Sequence, residues 1–429
     1  MKNLRVLSIR QCEDDNYQTS SLRGHTAVID SLRKYIDVTE MWVVEKGGSF
    51  SGKYIPGVFV YNVFSFKNAI EALERLQPEV ILVYNGDFEF LSRSLLKAGS
   101  HKGVPSVDIR FSDFDVNSSE SKNLAGAKVL NRICTLSRKG RMITRKYLFL
   151  LRTLNKSGST LWDTTKTIFK DFYLSFAYWS PMYQFGGADL NIVSTPEWLN
   201  LVLRKGIPRN KIAVTGDISM DSIFEHLSRI KRYRDRAQSN QSKVEILFIT
   251  DSMVEHGYWS PQQRDRLVTS VVRNVEKELG SKANLRVKIH PTSESLGTYT
   301  NLLSPIDPSL KIIQNSDLIL LIDESDIIIT FGFSSAILQA ILLGKPVYLM
   351  NIYANNKLPE NPFVQEEVVV ECQSINELMD KIKRPNYAGV KDERLQMFIE
   401  KYLYRFDGKC GERAAKYILS MLHLIDQPN

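Results

Sequence analysis

Residues 326–351 read "DIIITFGFSSAILQAILLGKPVYLMN". A β-branched run breaks at Gly332, passes Ser334 and Ser335 into a helical pattern, breaks again at Gly344 and closes on "PVYLMN". Strand, turn, helix and second buried strand in that order make a βαβ unit of a parallel sheet. The serines stand where strand gives way to helix. Gly332 lets the backbone turn, while Ser334 and Ser335 set hydroxyls beside the unpaired N–H groups of a helix start, an arrangement that suits a phosphate. By position alone, Ser334 is equally a plain N-cap.

Upstream lies "NLRVKIHPTSES", residues 284–295, a strand that ends on Lys288, His290 and Pro291. In parallel α/β sheets ligands collect beyond the carboxyl ends of strands. His290 then brings a second donor to the same anion, and its near-neutral pKa suits protonation of a leaving phosphate oxygen. The preceding strand, "VEILFITD" (244–251), ends at Thr250, a third group for the donor. "QQRDRLVTSVVRNVEKEL" is a helix between these strands, and "SINELMDKIK" and "GERAAKYILSMLHLI" read as closing helices.

The first half alternates in the same way. "RVLSI", "VTEMWVVE", "PEVILVYNGD" and "GVPSVDIRF" read as strands, "TAVIDSLRKY" and "NAIEALERL" as helices. "ADLNIVSTPEWLNLVLRKGIPRNKIAVTGD" (188–217) then gives strand, helix, a Gly-Ile-Pro break and strand. "LSRIKRYRDRAQSNQSK" (227–243) is polar, charged and poor in apolar spacing, as a linker is. The expected architecture is α/β, with two doubly wound Rossmann-like domains and a cleft between them. Their bounds are 1–226, with a basic helical insertion over 121–180, and 244–408, followed by a closing helix over 409–429 that returns toward the first domain.

A chain of 429 residues exceeds one ordinary core, so two domains also follow from length. A hydrophobic fraction of 43% with 24% charged residues is that of a globular protein. No apolar run approaches the length of a membrane span, and the opening "MKNLRVLSIRQCEDDN" lacks a secretory-signal core. Cys12, Cys134, Cys372 and Cys410 stand far apart, which favours reduced thiols in a cytoplasm over disulfides or a zinc site. No cofactor is implied.

Charge is unevenly placed. Residues 121–162 hold ten Lys or Arg and no Asp or Glu; removing those ten from 56 leaves 46 bases against 48 acids. The segment lacks a zinc, helix-turn-helix or RNP pattern, so nucleic acid is not the expected partner. "RKYLFLLRTL" mixes its bases with Tyr147, Leu148, Phe149, Leu150 and Leu151, as an interfacial helix would. Arg138, Lys139, Arg141, Arg145 and Lys146 are the residues expected to meet an anionic membrane surface. The plain alternative is a solvated face on a helix whose apolar side is core.

"KIHP", the serine pair before "ILQAILLGKPV", and "VTGDISMD" resemble bacterial glycosyltransferases of the GT-B fold that build surface and capsular polysaccharides. The nearest groups are the Kdo, sialyl- and polysialyltransferases and the teichoic-acid glycerophosphotransferases. The resemblance spans roughly residues 190–425 and includes the tail "FDGKCGERAAKYI", with Gly408, Lys409 and Arg413. It implies that His290, Pro291, Ser334 and Ser335 hold the phosphate of a CMP-, CDP- or related activated donor, and that Asp317 contacts the donor nucleoside. The same segments are similar to non-hydrolysing UDP-N-acetylglucosamine 2-epimerases. Their His-Arg-Arg-Glu stretch is "TDSMVEHG" here, however, their glycine pair is Ser334–Ser335, and their following carboxylates are replaced by Gln339–Ala340.

An inverting transferase needs a carboxylate to take the acceptor's proton. Asp87, at the end of "VILVYNGD", is the first candidate and the "CEDD" group (Glu13, Asp14, Asp15) the second. Asp113 and Asp115 form a DxD, but metal-binding DxD motifs belong mainly to the other major transferase fold, so no metal is assigned. The expected protein is a cytoplasmic, membrane-peripheral, metal-independent transferase. It takes a nucleotide-activated sugar donor and a glycan or lipid-linked acceptor. The alternatives are an epimerase and a nucleotide-sugar-binding protein without activity.

Overall fold

The computed structural model describes residues 3–10, 20–44, 57–84, 90–110, 144–177, 187–234, 243–255, 257–291, 293–332, 334–353, 361–383 and 392–426. The chain divides into two compact units, residues 1–222 with 402–429, and residues 223–401.

The first unit carries seven strands: β1 (Asn3–Arg10), β2 (Asp37–Val44), β3 (Val58–Asn62), β4 (Val80–Tyr84), β5 (Ser106–Ile109), β6 (Leu190–Val193) and β7 (Ile212–Val214). They lie in the order β3-β2-β1-β4-β5-β6-β7, and every pairing is parallel. Alternate residues go to opposite faces, as a strand requires. Leu7, Ile9, Ile81 and Val83 pack on one side, and Leu4, Val6, Val80 and Leu82 on the other. Helices α1 (Ser20–Arg33), α2 (Ala69–Leu76) and α3 (Phe90–Lys102) cover the faces. α4 spans residues 144–156, and α5 (Leu161–Ala177) and α6 (Pro196–Arg204) follow. Phe149 of α4 joins the core beneath α2 and α3.

The second unit repeats the plan with six strands: β8 (Val244–Ile249), β9 (Ala283–Lys288), β10 (Lys311–Ile313), β11 (Ile327–Thr330), β12 (Val347–Met350) and β13 (Val370–Cys372). Their order is β10-β9-β8-β11-β12-β13, again parallel throughout. α7 (Asp221–Arg234) leads into the sheet, and its helices are α8 (Pro261–Leu279), α9 (Leu296–Leu303), α10 (Leu318–Asp323), α11 (Ser335–Leu342), α12 (Pro362–Gln365), α13 (Ile375–Ile382) and α14 (Asp392–Tyr402). α8 shows how locally this is specified. Ser260 and Gln263 form a reciprocal capping box with Pro261 in the first turn. Leu267, Val268, Val271, Val272 and Val275 then repeat at helical spacing, all buried.

Both sheets thus have the doubly wound order, and the expected α/β two-domain architecture is the one observed. Each has a switch point where strand order reverses, between β1 and β4 and between β8 and β11.

One segment departs from the sequence reading. Residues 227–234, taken as linker, continue α7, and residues 235–242 lie outside the described residues. The final helix, α15 (Cys410–Met421), groups with the first unit and packs on α1. Gly411 has no room for a side chain, because a Cβ there would sit 2.7 Å from the Ala27 carbonyl oxygen. The Asp221 carboxylate accepts from the backbone N–H of Cys410 at 3.1 Å and of Gly411 at 2.7 Å. It fills the unpaired-donor end of α15. Arg413 donates to the Thr215 carbonyl at 2.7 Å and holds Asp407 through both guanidinium nitrogens. "VTGDISMD" is therefore the joint that fastens the end of the chain to the first sheet.

Candidate functional site

The carboxyl edge of the second sheet gathers the residues singled out above. β9, β8 and β11 are neighbours in that order, so Thr250 lies between the loop that follows β9 and the turn that follows β11. With strands about 4.8 Å apart, those two loops start roughly 10 Å from each other.

The loop after β9 is organised from beneath by Glu294, which is 4% exposed. One of its oxygens accepts from the His290 N–H at 2.7 Å and from the Thr250 hydroxyl; the other accepts from the Tyr299 hydroxyl. Burial and the adjacent Glu294 carboxylate push the Tyr299 phenol well above its ordinary range, so it stays protonated and donates. Gln314 ties the far side, its amide donating to the carbonyls of Pro291 at 3.2 Å and Glu294 at 2.8 Å. Lys288 answers why a buried strand ends on a base. Its ammonium is turned back to the carbonyls of Ile289 and Gln314 at 2.6 and 2.9 Å. Burial lowers its pKa to about 8.

His290 stands half-buried at the top of this brace. Its Nδ1 accepts from the Ser293 N–H at 3.1 Å. In the neutral ring the proton is then on Nε2, which makes Nε2 the donor. The hydroxyl of Thr250, itself 3% exposed, is turned to Glu294. Thr250 thus helps to hold the loop after β9.

Across β8, Gly332 takes φ +80°, a conformation that favours glycine. A Cβ there would also collide with the Asp251 carboxylate and meet the Met253 sulfur at 3.0 Å. Asn361 donates to the Gly332 carbonyl at 3.1 Å. Ser334 caps α11, accepting from the Ala336 N–H at 3.2 Å, and Ser335 is exposed in the first turn. From Ala336 to Leu342, α11 is buried all round and carries no carboxylate. Asp317 is the N-cap of α10, accepting from the Ile319 N–H at 2.9 Å.

Glu294, Gln314 and Asp251 escaped the sequence reading. The only sequence signal for Glu294 is an acid among the hydroxyls of "HPTSES".

Asp87, Glu13, Asp14, Asp15, Asp113 and Asp115 lie outside the described residues. In the first sheet, β4 ends on Tyr84. Its hydroxyl meets Nδ1 of His25, whose Nε2 meets Glu40, and Trp42 donates its indole N–H to the same carboxylate. His25 and Glu40 are 1% and 3% exposed. This buried polar cluster was also not anticipated.

Of the residues expected at a membrane, Arg138, Lys139 and Arg141 lie outside the described residues. Arg145 stands 4.2 Å from the Phe64 ring centroid, and Lys146 is half-buried. The apolar residues expected to accompany them are largely core. Phe149 and Leu150 are each 2% exposed, Tyr147 packs on Phe90, and only Leu148 faces outward, at 44%. Among the described residues no helix is long and apolar enough to cross a membrane.

No protein-family profile matches the chain, and no curated protein does. Solved structures do. The Staphylococcus aureus MnaA–UDP co-structure superposes with a TM-score of 0.56 at 16% identity, over 99% of each chain. The UDP-GlcNAc 2-epimerase of Neisseria meningitidis bound to UDP-GlcNAc gives 0.51 at 15%, over 97% of this chain and 100% of that one. The wall teichoic acid polymerase TagF, soaked with CDPG, gives 0.51 at 13%, over 97% and 88%. At these identities the likeness is one of fold, and the fold is GT-B.

Proposed function

We propose that the chain is a GT-B glycosyltransferase that moves a sugar or polyol phosphate from a nucleotide-activated donor to a surface-polysaccharide or lipid-linked acceptor. Where a sugar moves, transfer inverts its anomeric centre, and neither transfer needs a metal ion. The observation that carries this reading is the carboxyl edge around β9, β8 and β11. It sets the Nε2–H of His290 on one side of the switch point and the Gly332–Ser335 turn, with the N-terminus of α11, on the other. Phosphate oxygens bridge such a span, and the Nε2–H of His290 donates a hydrogen bond that steadies the charge gathering on the departing phosphate. The ligands named for the three solved structures (UDP, UDP-GlcNAc and CDPG) support a nucleotide-linked donor. Asp87, or failing it the Glu13–Asp15 group, takes the acceptor's proton in this reading. Bases within residues 121–162 hold the enzyme on the inner face of an anionic membrane.

An epimerase acting on a UDP-sugar is the second reading, favoured by the whole-length likeness to the meningococcal enzyme. Against it stand an α11 without carboxylates and the acidic Asp251 where those enzymes carry bases.

The test is a panel of CMP-, CDP-, UDP- and GDP-sugars given to the full chain, followed by thermal shift and product analysis. One base should raise the melting temperature and support transfer. His290→Ala should then lower turnover by roughly 10²-fold or more while leaving the fold's melting unchanged. Epimer formation without acceptor establishes the second reading. Donor binding without turnover of any kind makes the chain a binding protein, and no binding at all removes every one of these readings.

A further inference from the structure

α5 is specified as a helix yet rests on little. Its start is fixed locally: Thr160 and Asp163 cap one another, side chain to backbone in both directions. Over its described turns, however, only Thr164 and Thr167 are half-covered and every other residue is exposed. Leu161, Trp162 and Phe169 are 88%, 74% and 71% exposed, and Ile168 is 39%. Twelve large apolar side chains are exposed in the described chain, and four of them fall on these nine residues. Single exposed hydrophobics are ordinary, but such a cluster marks an interaction surface.

The cluster has a face. Leu161, Thr165, Ile168 and Phe169 recur at helical spacing, with Trp162 at the border and Lys166 turned away. Phe172 and Phe176 continue that spacing in sequence. In proteins most of a helix's stability comes from packing its apolar face, so this face calls for a covering partner.

Charge selects the partner. The ten bases of residues 121–162 run directly into α5, and Arg145, Arg152 and Lys156 of α4 are exposed. Two copies of the chain pairing through this face would bring two such segments together, and like charge opposes that. An anionic bilayer attracts them. We infer that α5 is an interfacial helix that lays Leu161, Trp162, Ile168 and Phe169 into the headgroup region of an anionic lipid bilayer. This rests on the membrane-peripheral reading above and corrects its geometry. The bases bring the protein to the surface, and α5, not the core-facing α4, supplies the apolar contact.

The test is flotation of the full chain with vesicles of phosphatidylcholine alone or with phosphatidylglycerol, at low and high salt. Wild type should float only with the anionic vesicles and keep a salt-resistant fraction. Trp162→Ser with Phe169→Ser should lose that fraction, a drop in partitioning of roughly tenfold or more, and keep the salt-sensitive part. The substituted side chains are exposed, so circular dichroism should not change. Wild type that never floats removes the membrane reading itself. Wild type and variant floating alike at high salt overturns the role of α5 alone. A change of oligomeric state on substitution shows that a second copy covers the face, which also overturns it.

Discussion

The two sheets share a strand order but spend their buried polar groups differently. In the first unit several of them join one element to another. Asp221 and Arg413 fasten α15, and His25, Glu40 and Trp42 form a cluster beneath Tyr84. In the second unit they sit directly under a strand-end loop, where Glu294, Lys288 and Gln314 hold the residues on either side of His290. Topology alone therefore does not make a site. A loop becomes a rigid platform when polar side chains beneath it satisfy its backbone, since each unmet buried group costs about 1–3 kcal/mol.

Removing one brace from each unit tests that difference. Asp221→Ala leaves the N–H groups of Cys410 and Gly411 without their acceptor. The expected loss is about 3–5 kcal/mol, because two hydrogen bonds to a charged group go together. Hydrogen exchange should rise across residues 402–426, while the amides of β8, β9 and β11 keep their protection. Equal loosening of both units would mean that they unfold as one, and the comparison would fail. Glu294→Gln should act the other way. Its amide cannot accept from all three of the His290 N–H, the Thr250 hydroxyl and the Tyr299 hydroxyl, so about 2 kcal/mol is lost from the loop after β9. Donor affinity should fall with it, and α15 should be unaffected. Unchanged donor affinity would separate this loop from the binding site.

How far the sequence discloses this depends on the range of the interaction. The strands of "IIIT" and "PVYLM" are legible because both faces are buried, which demands continuous apolar runs. α7 is not, since its charged sequence buries few large side chains and its first residue, Asp221, is tied to α15 some 190 residues later. Periodicity in α4 reveals that an apolar face exists but not what covers it. The Phe149 face is covered by core, while the exposed face lies on the next helix. Of the candidate site, the placement of His290 just past β9 and of Ser334 at the start of α11 is legible, because the strand runs before them stop at recognisable turn residues. Glu294 is not, because an acid in a hydroxyl-rich loop reads as solvated until folding brings Thr250 against it from 44 residues away.

Lys288 provides the finest probe of the brace. Its side chain is 5% exposed, and desolvation lowers its pKa from 10.5 to about 8. Below pH 8 the ammonium is charged in both states, and the folded protein bears the full cost of holding that charge away from water. Between about 8 and 10.5 the unfolded chain still binds the proton and the folded chain releases it. The unfolded state then binds more protons, so stability from this group rises with pH. By pH 9.5 the gain is about 2 kcal/mol, an upper figure because the carbonyls of Ile289 and Gln314 favour the ammonium. Lys288→Met has no such proton to lose. Denaturant unfolding at pH 7.5 and 9.5 should show wild type gaining on the variant by up to that amount, with the other titrating groups cancelling in the difference. Parallel pH profiles would mean that the ammonium reaches water after all, and that Glu294 and Gln314 hold the loop without it.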